Sequence, residues 1–168
     1  QGAADVVTAR IDRFVAEGVR LTDGRVLEAD VVVSATGLEL QALGGMRLTV
    51  DGRDVEPGRA AAYRGVMLSG VPNFAFCIGY VNASWTLRAD LSHRYVCRLL
   101  DHRDRHGWTV ATPREHAAGT RPLLDLSSGY VRRSLHTFPR QGDRAPWTVR
   151  QNYLLDLLTL PRVNLTRE

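Results

Sequence analysis

The sequence predicts an α/β fold from three observations. Two Asp-Gly pairs, Asp23-Gly24 and Asp51-Gly52, each separate short strand-like runs, which favours antiparallel hairpins because both residue types tolerate the positive φ of a type I′ turn. Val31 to Val33 form a continuous β-branched run, typical of a strand covered on both faces, as in a parallel sheet. After Ser84, apolar residues recur at intervals of four, which indicates a long amphipathic helix.

The bulk composition is that of an ordinary globular chain. Its 168 residues favour one domain, and 44% apolar with 24% charged residues can supply a core. The net charge of +4 comes entirely from arginine, since the sequence contains no lysine. These arginines are scattered among acidic residues, so the sequence predicts no nucleic-acid partner. No apolar run is long enough to cross a bilayer, and we expect no transmembrane segment.

The amino-terminal part predicts an antiparallel β-meander of three short strands, from Val6 to about Val33. The first turn falls at Ala16 to Gly18 and the second at Asp23-Gly24. The valine run would then be a buried return strand. The first residues already resemble a strand, so we expect the chain to be a piece of a larger protein.

The middle of the chain predicts a second hairpin, a core strand and the long helix. The hairpin is MRLTVDGRDVEP, and the core strand is Phe74 to Ile78, preceded by a Val-Pro-Asn turn. The helix runs from about Ser84 to His106, and Gly107 is a natural stop. Its expected apolar face comprises Leu87, Leu91, Tyr95 and Leu99, widened by Trp85, Val96 and Leu100.

The tail predicts two further helices. SSGYVRRSLHTF is expected to be a short helix with a serine cap. PWTVRQNYLLDLLTLP is expected to be a second helix, with Pro146 near its start and Pro161 beyond its end.

Several reactive residue types are interpreted as structural. Cys77 and Cys97 lie in apolar stretches, which predicts buried free thiols. His102 and His106 have a metal-compatible spacing, but they occupy a charged helix end without an evident third ligand, so we expect no metal.

Residues 79–86, GYVNASWT, join the core strand to the long helix, and we call them the helix-entry segment. Unpaired N–H groups at a helix start carry partial positive charge and favour an anionic or electron-rich partner. Asn82 or Ser84 can cap this helix, and a well-capped helix is the alternative to a binding role. Trp85 must pack on something flat or apolar.

Three ordered stretches resemble one enzyme family. ADVVVSATGL, Ala29 to Leu38, resembles the strand that closes the nicotinamide domain of class B flavin monooxygenases. Ala62 to Leu100 resembles the C-terminal part of the FAD domain of FAD-containing monooxygenases of the Baeyer–Villiger type. The similarity is greatest to the ethionamide-activating group. SGYVRRSLHTFPRQGDRAPWTVRQNYLLD resembles the tail of the same group, so the resemblance covers nearly the whole chain.

The resemblance implies a C-terminal remnant of a two-dinucleotide-domain, Rossmann-like flavoprotein. Residues 1–34 would end the NADPH-binding domain, and residues 35–168 would form the C-terminal segment of the FAD-binding domain with its helical tail. The implied cofactors are FAD and NADPH. We assign no catalytic residue here, because the family's active-site arginine belongs to sequence upstream of Gln1.

The resemblance also implies a set of cofactor-binding residues. Thr36 and Gly37 would lie where the chain crosses between the domains, close to a cofactor. The helix-entry segment would supply a wall of the flavin and substrate site, with N–H groups facing the pyrimidine edge of the flavin. There they would stabilise reduced flavin and its C4a-peroxide. The wall residues are Asn82, Ala83, Ser84, Trp85 and Thr86.

The implied activity is oxygenation of small apolar ketones, sulfides or thioamides. Both GxGxxG turns of the family are absent, as is its FxGxxxHxxxW-type motif. We therefore expect this chain to be inactive without the N-terminal part of the enzyme as its partner. Two alternatives stay open, a non-oxygenating flavoprotein reductase and a non-catalytic truncated product. We expect a cytoplasmic protein, with peripheral attachment to a membrane as an alternative.

Overall fold

The computed structural model describes residues 4–114 and 121–166. The chain divides into two compact units, Gln1–Gly37 and Leu38–Glu168, which we call unit 1 and unit 2. Their boundary lies close to the one predicted after residue 34. The assignment of the two units to an NADPH-binding and an FAD-binding domain remains a prediction.

Unit 1 contains the predicted antiparallel meander. Its strands are β1 (Ile11–Val15), β2 (Gly18–Leu21) and β3 (Val26–Glu28), in the order β1-β2-β3. Gly18 has a φ of 144°, and a Cβ there would lie 2.1 Å from the carbonyl oxygen of Leu27. Glycine is therefore required at this position, because neighbouring strands approach too closely for a side chain.

The two Asp-Gly turns differ. Asp51 and Gly52 both have positive φ, 49° and 76°, as predicted for a type I′ turn, and they join β4 (Leu48–Val50) to β5 (Arg53–Val55). At the first pair only Gly24 has positive φ, so the type I′ prediction is wrong there. The Asp23 carboxylate instead accepts hydrogen bonds from the backbone N–H and the Nε of Arg25, at 3.1 and 2.8 Å.

The predicted return strand at Val31 to Val33 is wrong. These residues form no strand, and Val31 and Val33 are 79% and 84% exposed. A β-branched run becomes a buried strand only when neighbouring strands pair with it. The described residues of unit 1 provide no such neighbour, and every named sheet in the described chain is antiparallel.

Unit 2 surrounds one long helix with small antiparallel pairs. Besides β4 and β5, β6 (Ala62–Tyr63) pairs with β7 (Met67–Leu68), and β8 (Arg121–Pro122) pairs with β9 (Arg140–Gln141). The helices are α1 (Trp85–Arg105), α2 (Gly129–Ser134) and α3 (Tyr153–Thr159). Short 3₁₀ turns cover Ala42–Gly45, Pro57–Arg59, Leu135–Thr137 and Leu160–Arg162. Within the described residues, no helix has both the length and the apolar character needed to cross a membrane.

The predicted core strand, Phe74 to Ile78, is not a strand. Only Ala75 forms a bridge, to Met67, and the Phe76 N–H donates to the Val66 carbonyl at 2.8 Å. The segment nevertheless keeps a period of two, since Phe74, Phe76 and Ile78 join core clusters. The neighbouring strand β7 has only two residues, too few to pair with the whole of the 74–78 segment.

Both thiols are exposed, so their predicted burial is wrong. In the 74–78 segment, alternate side chains face the core, and Cys77 lies between Phe76 and Ile78, which do so. Its own side chain therefore faces outward. Cys97 lies on the exposed side of α1.

Helix α1 is confirmed within one residue at each end, and Gly107, with a φ of 66°, follows its C-terminus. Its buried face differs from the predicted one. Leu91 and Tyr95 are buried as expected, but Leu87 is exposed while Arg88 and Ser92 are buried. At the N-terminal end of α1, the buried face therefore begins at Arg88, one residue later than the predicted Leu87.

The tail helices are confirmed in kind. The helix that was to begin near Pro146 instead begins at Tyr153, where the Asn152 side chain accepts from the Leu155 N–H at 3.1 Å. Residues 146–152 are non-helical because they are used for packing, with Trp147 and Val149 against the core. Pro161 lies inside the 3₁₀ turn that continues α3. Helix α2 begins after Ser128, whose hydroxyl makes no capping bond.

Helix α3 buries its carboxylate and exposes three of its four leucines. Asp156 is buried, whereas Leu154, Leu155 and Leu158 are exposed. The cause is an ion pair between Asp156 and Arg88 of α1, with both side chains removed from solvent.

We predict that Asp156→Ala destabilises the chain by about 3–5 kcal/mol, because it leaves the Arg88 charge buried and unpaired. The double variant Arg88→Met/Asp156→Leu should recover most of that loss, since neither charge is then buried. Urea unfolding measures both. Asp90→Ala, which breaks an exposed pair with Arg94 on the same helix, is the matched control and should change little. A single variant as stable as the double one would contradict the prediction.

Candidate functional site

The helix-entry segment has a buried start and an exposed end. Gly79 and Tyr80 are buried, and every residue from Asn82 to Thr86 is exposed. A Cβ on Gly79 would lie 2.2 Å from Cγ of Trp85, so the indole lies directly against the Gly79 backbone. Trp85 remains 58% exposed. Its flat partner is thus the peptide backbone, and much of the indole surface faces solvent.

No described side chain caps the first turn of α1. Ser84 occupies the N-cap position, but its hydroxyl is paired with the Thr86 hydroxyl at 2.8 Å. The Asn82 side chain donates to the backbone carbonyl of Gln151 and does not cap α1. The predicted capping role of both residues is therefore wrong. The first N–H groups of a 21-residue helix are thereby left for an external acceptor, and the helix dipole makes that end favourable for negative charge.

Gln151 holds the helix-entry segment in place by two hydrogen bonds. Its side-chain oxygen accepts from the Val81 N–H at 2.9 Å, and its backbone carbonyl accepts from Nδ2 of Asn82 at 3.0 Å. Sequence reasoning missed this residue. The available signal was a polar Gln-Asn pair directly before α3, which has no role in an amphipathic pattern.

A buried polar network lies beneath the first turn of α1. One terminal amino group of Arg88 donates a hydrogen bond to the Asp156 carboxylate, and the other donates to the backbone carbonyl of Arg64. Its guanidinium carbon lies 5.8 Å from the ring centroid of Tyr80. The Tyr80 hydroxyl donates to Asp156 at 2.7 Å. Burial, together with this hydrogen bond, raises the pKa of Tyr80 to about 12. The network ties the entry segment, α1 and α3 into one rigid group.

The other predicted residues, Thr36 and Gly37, are the last two residues of unit 1. Both are exposed, and Gly37 has a φ of 86°, a conformation that favours glycine. The structure groups the five wall residues in unit 2. Whether Thr36 and Gly37 join them at one cofactor stays a prediction.

The histidine pair lies at the opposite end of α1. The rings of His102 and His106 are 4.3 Å apart, and His106 stacks on Trp108 at 4.6 Å. Desolvation and then the neighbouring His106 lower the pKa of His102. Within residues 4–114 and 121–166, no group of three potential metal ligands occurs.

Comparison with known proteins finds that the chain is similar to the C-terminal portion of FAD-containing monooxygenases, which confirms the resemblance. It is 47% identical over 169 residues to the FAD-containing monooxygenase EthA of Mycobacterium tuberculosis, covering 99% of this chain. It is 45% identical over 158 residues to EthA of Mycolicibacterium smegmatis, covering 93% of this chain. A third relative, from an Acinetobacter species, carries the name "Probable FAD-binding monooxygenase AlmA" and is 44% identical over 160 residues, 93% of this chain.

The chain spans about a third of the length of these curated relatives, 35%, 32% and 32% respectively, and matches their C-terminal portion. No family model matches the sequence. No solved structure matches it significantly. The chain is therefore a homologue of the C-terminal portion of FAD-containing monooxygenases.

We predict that Gly79→Ala displaces Trp85, because the new Cβ would overlap the root of the indole side chain rather than a flexible end. The expected result is a red-shifted or quenched tryptophan emission and a changed near-ultraviolet circular dichroism spectrum. Gly129→Ala is the matched control, since a Cβ there meets nothing closer than 3.7 Å. Identical spectra for Gly79→Ala and the unaltered chain would show that the indole does not lie on Gly79.

We predict that a tyrosinate absorbance step near pH 12 belongs to Tyr80. Because the folded-state pKa is raised above the ordinary value of 10, the unfolded chain ionises first as pH rises. Tyr80 therefore contributes to a loss of stability between about pH 10 and 12, and below pH 10 the shift has no effect on pH dependence. Tyr80→Phe should remove the step near pH 12 in an absorbance titration. Persistence of that step in the variant would exclude the assignment.

Proposed function

We propose that the helix-entry segment forms a wall of the flavin and substrate site of an FAD- and NADPH-dependent monooxygenase. The supporting observation is the first turn of α1, which is exposed and receives no side-chain cap from the described residues. A capped or covered helix start would have indicated a purely structural role. The homology to FAD-containing monooxygenases is consistent with the flavin as the external acceptor.

The exposed donors fit the pyrimidine edge of a flavin ring. That edge presents carbonyl oxygens and ring nitrogen, which are hydrogen-bond acceptors, and the N–H groups of Trp85 and Thr86 would hold it. When bound, FAD supplies the redox chemistry and the activation of oxygen. The backbone donors and the helix dipole stabilise negative charge at the edge they face. Since the donors are backbone groups on a braced helix, they need no rearrangement to do so.

Each neighbouring residue has a definable task in this arrangement. Trp85 presents an exposed indole beside the donors and would exclude water from the reacting region. Ala83 is small and keeps the approach to the turn open. Asn82 is held by the Gln151 carbonyl and so fixes the position of the segment. These residues bind, orient and exclude water, and none of them is proposed to transfer a proton.

This chain offers no comparable site for the pyrophosphate groups of FAD and NADPH. A GxGxxG turn between a strand and a helix is absent from the sequence, so neither FAD nor NADPH finds its usual phosphate cradle here. The remaining part of the enzyme must supply both. We therefore propose that this chain alone is inactive, and that the complete enzyme oxygenates small apolar ketones, sulfides or thioamides from a cytoplasmic location.

The purified 168-residue chain with added FAD is expected to leave NADPH unconsumed, as measured by absorbance at the nicotinamide band. The reason is the missing phosphate cradles. NADPH consumption above a control without protein would refute this part of the proposal.

In the complete enzyme, we predict that Trp85→Ala shifts the flavin absorbance spectrum and uncouples NADPH oxidation from product formation. Water then reaches the reacting region, and hydrogen peroxide replaces product. Trp108→Ala is the matched control, because Trp108 is also an exposed tryptophan but follows the opposite end of α1. A folded Trp85→Ala enzyme with unchanged spectrum, Michaelis constant and coupling would show that the segment is scaffolding.

Incorporation of labelled oxygen by the unaltered complete enzyme separates the monooxygenase from a flavoprotein reductase. Label from O₂ in a ketone- or sulfide-derived product is the expected result. NADPH oxidation without label in any product would favour a reductase, and no NADPH oxidation at all would favour a non-catalytic protein.

A further inference from the structure

The geometry points to a second binding site in unit 2, for a phosphate-sized oxyanion, in a cavity beside the Arg88–Asp156 pair. The cavity has a volume of about 80 Å³. Its described lining comes from the β6–β7 turn, from α1, from residues 145–150 and from the end of α3. The residues are Arg64, Arg88, Ala145, Pro146, Thr148, Arg150, Asp156, Thr159 and Leu160.

The charge of the described lining is positive. Three of its residues are arginines, and Asp156 is the one carboxylate among the lining residues that the structure describes. Asp156 is already engaged by Arg88 and by the Tyr80 hydroxyl. Within the described lining, the charge of Asp156 is therefore offset by Arg88.

Arg88 supplies a buried donor with no described partner. The residue is only 2% exposed, and both of its terminal amino groups are used, one on Asp156 and one on the Arg64 carbonyl. The remaining guanidinium nitrogen, Nε, carries one N–H group and has no hydrogen-bond partner in the described structure. A buried N–H of a cation is costly to leave unsatisfied, and an oxyanion in the adjoining cavity would satisfy it.

The walls of the cavity are held by the backbone. Arg64 and Gly65 have φ values of 51° and 67°, and the Val66 N–H donates to the Tyr63 carbonyl at 2.9 Å, which makes a type I′ turn. The Arg64 N–H donates to the Pro146 carbonyl at 2.8 Å, so the turn is joined to the 145–150 segment. The two walls that carry Arg64 and Arg150 are thereby fixed to each other.

The lining offers donors of a consistent kind. Arg150 and Thr148, whose side chains end in a guanidinium group and a hydroxyl, are among the lining residues. Thr159 is not a donor to the cavity, because its hydroxyl donates to the Leu155 carbonyl at 2.7 Å. Guanidinium groups match the geometry of phosphate oxygens and form charge-assisted hydrogen bonds with them.

The size of the cavity limits the ligand. On this measure one water molecule needs roughly 10–15 Å³, so 80 Å³ has room for a tetrahedral oxyanion. The ligand is either free phosphate or the terminal phosphoryl group of a larger molecule whose remainder lies in solvent. This site does not depend on the flavin assignment, since it uses none of the five wall residues.

The test is calorimetric titration of the purified full chain with inorganic phosphate, against sodium chloride of equal ionic strength. Phosphate should bind to the unaltered chain with one-to-one stoichiometry. Arg150→Gln should weaken binding about tenfold, because it removes a charge-assisted hydrogen bond. Arg150 is exposed, so this variant should fold, as checked by circular dichroism and the urea midpoint. Arg144→Gln is the matched control, an exposed arginine of the preceding loop that does not line the cavity, and should bind as the unaltered chain does.

Phenyl phosphate, titrated in parallel, distinguishes the two sources of the phosphoryl group. Equal affinity for the ester identifies a terminal phosphoryl site, and binding of inorganic phosphate alone identifies a site for the free ion. Absence of phosphate binding to the unaltered chain would overturn the inference. So would equal weakening by Arg150→Gln and Arg144→Gln, which would indicate general attraction to a basic surface.

Discussion

The buried ion pair between Arg88 and Asp156 is the interaction on which the rest of unit 2 depends. Two charges removed from water are stable only when each is paired and hydrogen-bonded, and here the Tyr80 hydroxyl and the Arg64 carbonyl complete the set. The pair joins α1 to α3, and Tyr80 extends the connection to the helix-entry segment. Because such a pair tolerates little displacement, it fixes the rotation of both helices, and α3 is turned so that most of its leucines are exposed.

The exposed donors at the start of α1 are positioned by residues far along the chain. Gln151, about 70 positions downstream, holds Val81 and Asn82, and Asp156 holds Arg88. The C-terminal tail, through Gln151 and Asp156, therefore supports the proposed flavin wall. A support made of the side-chain and backbone oxygens of Gln151 and one buried ion pair is rigid, and preorganised donors need such rigidity if they are to favour charge on a cofactor.

The proposed flavin site is incomplete in this chain. It presents donors suited to a flavin ring, yet it has no glycine-rich turn for a pyrophosphate. Its relatives are about three times longer, in keeping with a flavin site assembled from separate parts of one enzyme. The cationic cavity near Arg88 lies within unit 2 itself and uses a different set of residues. The two proposed sites, one for a flavin ring and one for an anion, therefore use different residues beside the same buried network.

The sequence by itself determined the local elements, because turn chemistry and apolar periodicity act over a few residues. The meander, the Asp51-Gly52 turn and the bounds of α1 were all predictable, and so was the homology to flavin monooxygenases. Only the tertiary structure decided that Val31 to Val33 remain unpaired, that residues 74–78 form a single bridge, and that Arg88 and Asp156 are buried in place of leucines. Strand pairing needs a neighbour, and burial of a charge needs a counter-charge. Both are supplied by residues distant in sequence, which no local pattern can identify.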